Sequence, residues 1–208
     1  MRFGLLILAW CCCAAIGVGA MVAYETTATP TREAERYWPA TSEFVRDPQL
    51  PTLMMFIHPR CPCSRASLAE LTNLASQCAG RVSLRTIFVQ PVGCPEGWEN
   101  TGLWRMAEQI PGATVVIDRD GIEADRFRAT ASGETFLYAA DGRLLFHGGM
   151  TASRGHEGQS VGQAALAALI NRQTACQSES RVYGCPLSNR SCPPVLESIH
   201  GSDQPHAQ

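Results

Sequence analysis

An apolar stretch that ends shortly before two cysteines limits the possible folds of this chain more than any other part of the sequence. Residues 52–57 read Thr-Leu-Met-Met-Phe-Ile, a run of strand length, and a His-Pro pair breaks it. Apolar residues then recur at helical spacing over residues 66–78. This pattern predicts a strand, a tight turn and an amphipathic helix. Cys61 and Cys63 lie at the predicted turn.

The residues around the first cysteine predict a reactive thiolate. Proline is favoured at the first position of a helix, where its missing N–H is no loss, so Pro62 predicts Cys61 at the N-cap. There the sulfur would face unpaired N–H groups and the positive end of the helix dipole. Arg60 and Arg65 add positive charge. Such surroundings lower a cysteine pKa from about 8.5 to between roughly 3.5 and 7.5, so we predict Cys61 as the nucleophile.

The role of Cys63 stays open at this point. Side chains at i and i+2 of a helix point apart, so a disulfide to Cys61 requires Cys61 to lie outside the helix, and the bond would be strained and easily reduced. Alternatively, Cys63 is structural or binds a metal, and a distant cysteine resolves Cys61. A Cys-x-Cys pair suits Cu(I), whose ligand shell His58, His147 or His156 could complete.

Composition and hydropathy limit the function and predict a compartment. The 208 residues, with a net charge of -2 and no basic run, give one ordinary domain with appendages and no nucleic-acid surface. Residues 3–23 carry no charge and are long enough to cross a bilayer. Arg2 precedes them, which favours export of the rest of the chain. We expect an uncleaved single-pass anchor in the inner membrane, with the domain on the periplasmic, extracytoplasmic side.

The number of cysteines favours thiol chemistry on the exported side. Of ten cysteines, Cys11, Cys12 and Cys13 fall in the apolar stretch, which leaves seven. In an oxidising compartment most would pair, and an odd number leaves at least one free or intermolecular. The seven are Cys61, Cys63, Cys78, Cys94, Cys176, Cys185 and Cys192.

The chain divides into four predicted parts. They are an anchor or uncleaved signal at 1–23, a linker at 24–50, a domain at 51–175 and a cysteine-bearing tail at 176–208. The linker is rich in Thr, Pro and Glu. Chain ends are usually disordered, but three tail cysteines on the exported side favour a tail that folds back. Cys185 would then resolve Cys61 or give a metal its third thiolate, and spacing does not decide between them.

Within the domain, a second strand at 82–89 completes a β-α-β unit. Its right-handed crossover places the Cys61 turn at the carboxyl edge of the strands. The later predicted elements are a helix at 98–109, a strand at 113–118, a β-hairpin at 135–147 and a closing helix at 160–174. Asp141 and Gly142 supply the positive φ that the hairpin turn needs.

This order of elements, with a cysteine at the start of the first helix, resembles the thioredoxin-like superfamily. The resemblance covers residues 50–175 and implies an α/β fold with a central mixed sheet flanked by helices. More closely, four segments resemble bacterial RedB-type proteins, a branch of that superfamily, which implies membrane attachment and a thiol or electron-transfer role. The segments are 58–67, 132–135, 148–156 and 183–187.

The sequence departs from thioredoxins at two places. The position three after Cys61 holds Ser64 instead of a resolving cysteine, so Cys63 would have to take over. Where thioredoxins have a proline before the hairpin strand, this chain has Gly133-Glu134-Thr135, and the glutamate could act as a proton acceptor or a neighbour of a metal site. In the loop after the hairpin, Arg154 could hold a thiolate or an anionic partner, and His156 could shuttle protons or bind copper.

Three hypotheses follow from these residues. The leading one is a membrane-anchored thiol–disulfide protein without a cofactor, in which Cys61 attacks a disulfide of an exported partner protein and Cys63 or Cys185 resolves the product. The second is a Cu(I)-delivery module that uses Cys61, Cys63 and His58. The third is a redox sensor for a membrane enzyme, in which a disulfide of the tail changes docking.

Overall fold

The computed structural model describes residues 2–187 and Cys192. These residues contain five helices and five strands. The helices are α1 (Arg2–Thr26), α2 (Ser64–Gln77), α3 (Gly102–Glu108), α4 (Ile122–Arg126) and α5 (Val161–Ile170). The strands are β1 (Thr52–Ile57), β2 (Ser83–Gln90), β3 (Ala113–Arg119), β4 (Glu134–Tyr138) and β5 (Leu144–Gly148).

The five strands form one mixed sheet in the order β3-β2-β1-β4-β5. β2 is parallel to β1 and β3, whereas β4 is antiparallel to β1 and β5. The central position of β1 explains its composition, because a strand with neighbours on both edges and layers on both faces is apolar throughout. All six of its residues are buried. β1 ends at Ile57, so the Cys61 turn leaves the sheet at its carboxyl edge.

Alternation along β1 divides the core into two layers, since successive side chains point to opposite faces. Leu53, Met55 and Ile57 pack under α2, α3 and α5. Met54 and Phe56 point the other way, into a cluster that is largely aromatic. That cluster includes Phe127, Phe136 and Tyr138, and Trp38 packs against it.

The strands lie close to their predicted positions, whereas three helices differ from the prediction. α5 ends at Ile170, four residues before the end of the predicted helix at 160–174. α3 is shorter than the predicted helix at 98–109, because Thr101 caps it by accepting a hydrogen bond from the N–H of Trp104. α4 has no counterpart in the prediction. It begins after Gly121, whose φ is 69°, and the Asp118 carboxylate accepts the N–H groups of Glu123 and Ala124 at 2.9 and 2.8 Å. Five residues are too few to show a helical period.

The segments on either side of the domain lie against it. In the predicted linker, Trp38 meets the rings of Phe127 and Tyr138 at centroid distances of 5.1 and 5.4 Å. Thr29 forms an antiparallel bridge with Val182 of the predicted tail. Residues 188–191 and 193–208 of that tail, and Met1 of the predicted anchor, lie outside the described residues.

α1 precedes all of these elements, and its residues 3–24 are exposed. Residues 3–26 are long and apolar enough to cross a bilayer. An N-terminal signal sequence has the same length and composition.

Candidate active site

Three cysteine sulfurs meet at the carboxyl edge of β1. The Sγ atoms of Cys61, Cys63 and Cys185 all lie within 4.8 Å of one another. Cys61 and Cys63 belong to the turn between β1 and α2, and Cys185 belongs to the segment that follows α5. We call these three residues the sulfur cluster. Among the described residues it is the one group of three or more possible metal ligands this close together.

The turn differs from the prediction in the residue that caps α2. The N-cap is Cys63, and Cys61 lies two residues earlier, outside the helix. The N–H groups of Ser64 and Arg65 donate to the carbonyl oxygens of Cys61 and Pro62 at 3.2 and 3.3 Å. The prediction of Cys61 as N-cap is therefore wrong, because these amides bind carbonyl oxygens of the turn and not the Cys61 sulfur.

Hydrogen bonds from a distant segment lower the pKa of Cys61 to about 4. The largest contribution comes from the thiol of Cys185, and the hydroxyl of Ser64, the backbone N–H of Cys185 and the hydroxyl of Ser132 add to it. Burial opposes the shift, since Cys61 is only 1% exposed. The direction is the one expected from the sequence, but the donors lie mostly outside the helix.

The two arginines that flank the turn are not among the largest contributors to this shift. The guanidinium of Arg60 lies 4.8 Å from the ring centroid of Trp98, and Arg65 is exposed. The Cys61 thiolate is thus stabilised by hydrogen bonds in a buried setting, where they are stronger than at a surface.

A buried pair of serine hydroxyls stabilises the Cys61 thiolate by hydrogen bonding. The hydroxyls of Ser64 and Ser132 lie 2.6 Å apart, and that of Ser132 accepts the N–H of His58 at 2.7 Å. Each hydroxyl has one proton, so at any moment one proton bonds the pair together and the other, from either Ser64 or Ser132, is donated to the sulfur of Cys61. The sequence does not indicate this pair, because Ser64 and Ser132 are 68 positions apart and only the fold brings them together.

The other two cysteines of the sulfur cluster are held as thiols. The pKa of Cys63 is raised, mainly by burial and next by the negative charge on Cys61. The positive charge of Arg154 partly offsets this increase. The pKa of Cys185 is raised because its thiol donates to Cys61 and because it is partly buried. At neutral pH the cluster therefore carries one thiolate and two thiols.

Arg154, which the sequence suggested as a thiolate or anion ligand, fixes the segment that carries Cys185. Its guanidinium donates to the carbonyl oxygen of Gly184 at 2.6 Å and to the hydroxyl of Thr29 at 3.0 Å. It also lies 5.0 Å from the ring centroid of Tyr24, in the last turn of α1. Its charge acts on Cys63 as well, so this side chain both positions the cluster and adds positive charge to it.

Glu134 is buried and bound to neighbouring residues. One carboxylate oxygen lies 2.6 Å from Nε2 of His147, and the other accepts the N–H groups of Thr130 and Ala131 at 2.7 and 3.0 Å. His147 is also buried, with its ring stacked on Phe136 at 4.8 Å. Glu134 thus holds the loop at residues 130–132 in shape, and this loop carries Ser132.

The other two predicted histidine sites lie outside the sulfur cluster. His58 is half-buried, packs against the ring of Trp98 at 5.5 Å and accepts the N–H of Arg60 at 3.2 Å through Nδ1. Burial lowers its pKa. His156 is exposed on the loop after β5. Of the third ligands that the sequence offered, Cys185 and not His58 lies with Cys61 and Cys63 in the sulfur cluster.

Comparisons with known proteins add information on the fold. Neither protein-family models nor curated protein sequences give a significant match. A hypothetical protein from Sinorhizobium meliloti superposes with a TM-score of 0.59 at 20% identity, over 75% of this chain and 95% of that one. An uncharacterized conserved protein from Geobacillus kaustophilus gives 0.56 at 20% identity, over 81% and 94%.

The topology identifies the architecture. A β-α-β unit made of β1, α2 and β2 is followed by the antiparallel pair β4 and β5 beside β1 and by the closing helix α5. The fold is thioredoxin-like. A weaker thioredoxin-like neighbour is a secreted Mycobacterium tuberculosis disulfide oxidoreductase homologous to E. coli DsbE, with a TM-score of 0.41 at 18% identity, over 59% of this chain and 81% of that one. In this thioredoxin-like chain, β3 adds a fifth strand at the edge.

Proposed function

We propose that this chain is a membrane-anchored thiol–disulfide exchange protein in which Cys61 is the nucleophile and Cys185 the resolving cysteine. The observation that supports this assignment best is the hydrogen bond from the thiol of Cys185 to the thiolate of Cys61 inside the sulfur cluster. The nucleophile is already ionised at neutral pH, and the sulfur that must attack it next is its direct neighbour.

The exchange balances without a cofactor. The Cys61 thiolate attacks one sulfur of a partner disulfide, forming a mixed disulfide and releasing a partner thiolate. Cys61 then carries no charge, so the main cause of the raised pKa of Cys185 is gone, and Cys185 can give its proton to the departing thiolate. The Cys185 thiolate attacks the sulfur of Cys61, which forms the Cys61–Cys185 disulfide and frees the second partner sulfur as a thiolate, so the negative charge of Cys61 passes to the partner. Two electrons have passed to the partner.

The position of the quoted segments supports membership of the RedB-type branch. Each of the four segments contributes to one site. The residues are Cys61, Cys63 and the N–H of His58 from 58–67, Ser132 from 132–135, Arg154 from 148–156 and Cys185 from 183–187. A common site gives these scattered segments one reason to resemble a single family.

The proposed location is the inner membrane, with α1 as a single-pass anchor and the domain on the extracytoplasmic side. The disulfide between Cys94 and Cys192 supports it, because disulfides persist in oxidising compartments and are rare in the cytosol. The partners would then be proteins with thiols or disulfides on that side.

The test of the exchange reaction is a titration followed by trapping. The ultraviolet absorbance of the thiolate, taken as wild type minus Cys61→Ser, should appear with a midpoint near pH 4. A midpoint near the free-cysteine value of about 8.5 would contradict the assignment. Cys185→Ala should accumulate the mixed disulfide with a model disulfide, whereas Cys176→Ala, at an exposed cysteine outside the cluster, should complete the exchange like wild type.

A second function, Cu(I) binding, is favoured by the three sulfurs lying within 4.8 Å of one another. Thiolates select Cu(I), and binding would displace the protons of Cys63 and Cys185, so affinity should rise with pH. Metal analysis after anaerobic purification separates the two functions. One copper per chain that is lost in Cys185→Ser and kept in Cys176→Ser supports binding, and copper below a tenth per chain contradicts it.

A further inference from the structure

The segment that carries Cys185 is paired to the domain along its length. We call residues 178–187 the strap. At its start, the carbonyl oxygen of Ser178 accepts the N–H of His147 at 3.0 Å, and the N–H of Ser180 donates back to His147 at 3.2 Å. Further on, the carbonyl oxygen of Val182 accepts the N–H of Thr29 at 2.8 Å. These hydrogen bonds hold the first part of the strap against β5 and Thr29.

The end of the strap lies on the loop at residues 130–132. The N–H of Ser132 donates to the carbonyl oxygen of Cys185, and the N–H of Leu187 donates to that of Thr130, both at 2.8 Å. The side chain of Leu187 is 5% exposed and belongs to the aromatic core layer. A Cβ atom at Gly184 would collide with the carbonyl oxygen of Ser132, so the two backbones are in direct contact.

The docked strap closes the site. Cys61 receives both the thiol and the backbone N–H of Cys185 and is 1% exposed, and Cys63 is 8% exposed. Attack on a disulfide needs access to the attacking sulfur. A partner disulfide can therefore reach Cys61 only after the strap has moved.

A covalent bond holds the far side of the strap. Cys192 is bonded to Cys94 and follows Leu187 by five residues, a span of at most about 18 Å. Cys94 lies in the loop after β2, which is tied to the sheet because the side chain of Gln90 donates to the carbonyl oxygen of Pro95 at 3.1 Å. Cys185 thus lies between the Val182 pairing and a covalent anchor.

We propose that the Cys94–Cys192 disulfide is a latch that keeps the strap closed over Cys61, and that reduction of this disulfide opens the site to partner proteins. The inference rests on the proposed function and adds its regulation. The reductant is a protein dithiol. Its first thiolate attacks one latch sulfur and its second resolves the mixed disulfide, so the dithiol is oxidised and Cys94 and Cys192 become thiols. Without the disulfide, the end of the strap has more conformational freedom when it leaves the domain. The entropy gained on undocking is therefore larger, and the open state is more populated.

Thiol labelling of the full-length chain tests the latch. The protein is prepared with the sulfur cluster reduced and the latch intact, as verified by peptide mass mapping, and the rate of labelling of Cys61 by iodoacetamide is measured at pH 7. Cys94→Ser/Cys192→Ser should label Cys61 at least tenfold faster than wild type. Equal rates, within twofold, overturn the proposal. Cys78, the fully buried C-cap of α2, reports global unfolding in the same samples and should stay unlabelled.

A second variant opens the strap without touching the disulfide. Gly184→Ala introduces the collision with Ser132 and should also speed labelling of Cys61 at least tenfold, whereas Gly102→Ala, at a glycine whose Cβ would meet open space, should not. If Cys78 becomes labelled in the double variant, the Gly184→Ala variant is the test instead. A rate of Cys61 labelling in that variant equal to the wild-type rate overturns the proposal. The pKa of Cys61 and the trapped mixed disulfide are separate readouts, so the proposed function and the latch can each fail alone.

Discussion

The acidity of Cys61 depends on two hydroxyls as well as on Cys185. The hydroxyl pair of Ser64 and Ser132 shares its protons between itself and the sulfur. The Cys61 sulfur is also shielded from the solvent that would otherwise stabilise a thiolate, since the residue is 1% exposed. The serine at position 64, which replaces a resolving cysteine, therefore has a chemical role of its own.

Replacing Ser64 by alanine should raise the pKa of Cys61 by about 1. A hydrogen bond to a charged group contributes roughly 1.5 to 3 kcal/mol, and 1.36 kcal/mol corresponds to one pH unit, but the Ser132 hydroxyl can turn to compensate. The thiolate absorbance titration measures the change. Ser67→Ala, at a buried serine of α2 that donates no hydrogen bond to Cys61, is the control and should leave the midpoint in place. An identical midpoint in both variants would contradict this role of Ser64.

The low pKa of Cys61 also makes stability depend on pH. In the unfolded chain the thiol titrates near 8.5, and in the folded chain near 4. The folded state binds fewer protons between these values, so this contribution is fully present above about pH 9, decreases as the pH falls and is lost below about pH 4.

Comparison with Cys61→Ser isolates this contribution. As the pH rises from 5 to 8, the free energy of unfolding of the reduced wild type should increase relative to that of the variant by about 1 kcal/mol per pH unit. Urea unfolding at several pH values measures the difference. A constant difference over this range would show that Cys61 does not titrate at its low value in the folded chain.

At the scale of elements, the β4–β5 hairpin and the loop before it depend on one buried polar pair. Glu134 begins β4 and His147 lies in β5, and Glu134 also holds the amides of Thr130 and Ala131. His147→Leu removes one partner of a buried carboxylate, which typically costs about 3 to 5 kcal/mol. Urea unfolding should show a loss in this range.

The matched control is the exposed histidine in the following loop. His156→Leu should change the free energy of unfolding by less than about 0.5 kcal/mol, since surface substitutions usually do. If the two variants lost equal stability, the Glu134–His147 pair would have no special role in the fold.

The same elements show what the sequence can predict. β1 and its turn were predictable because an apolar run of six residues ends at a proline, and the hairpin because Asp141 and Gly142 mark its turn; Gly142 has a φ of 90°. α4 was not predictable, since its five residues depend on a cap from Asp118, which is set by the sheet.

The candidate site was predicted in part for the same physical reason. Cys61 and Cys63 have a local signature, and Cys185 could be proposed as one partner among several. The serine donors and the choice of Cys185 over the histidines required the three-dimensional arrangement, because each pair is separated by dozens of residues. The burial of His147 also needed the structure, because strand alternation alone does not say which face of the hairpin is covered.

At the scale of the whole molecule, α1 should decide where the protein is found. The full-length chain should stay in the membrane pellet after an alkaline carbonate wash, because its apolar helix is long enough to span the bilayer. A chain shortened to begin at Tyr24 should appear in the supernatant with its thiolate titration intact. A wild-type chain found in the supernatant with its N-terminus removed would show that α1 is a cleaved signal.

Arg154 connects the end of α1 to the reactive sulfurs, with the ring of Tyr24 on one side and Gly184 and Cys63 on the other. A bilayer around α1 would therefore hold the reactive sulfurs just above the lipid headgroups. Partner cysteines could meet Cys61 only at that height, in the membrane-proximal loops of integral proteins or in clients bound to the lipid surface. Distance from the bilayer would then select partners before any side chain is recognised.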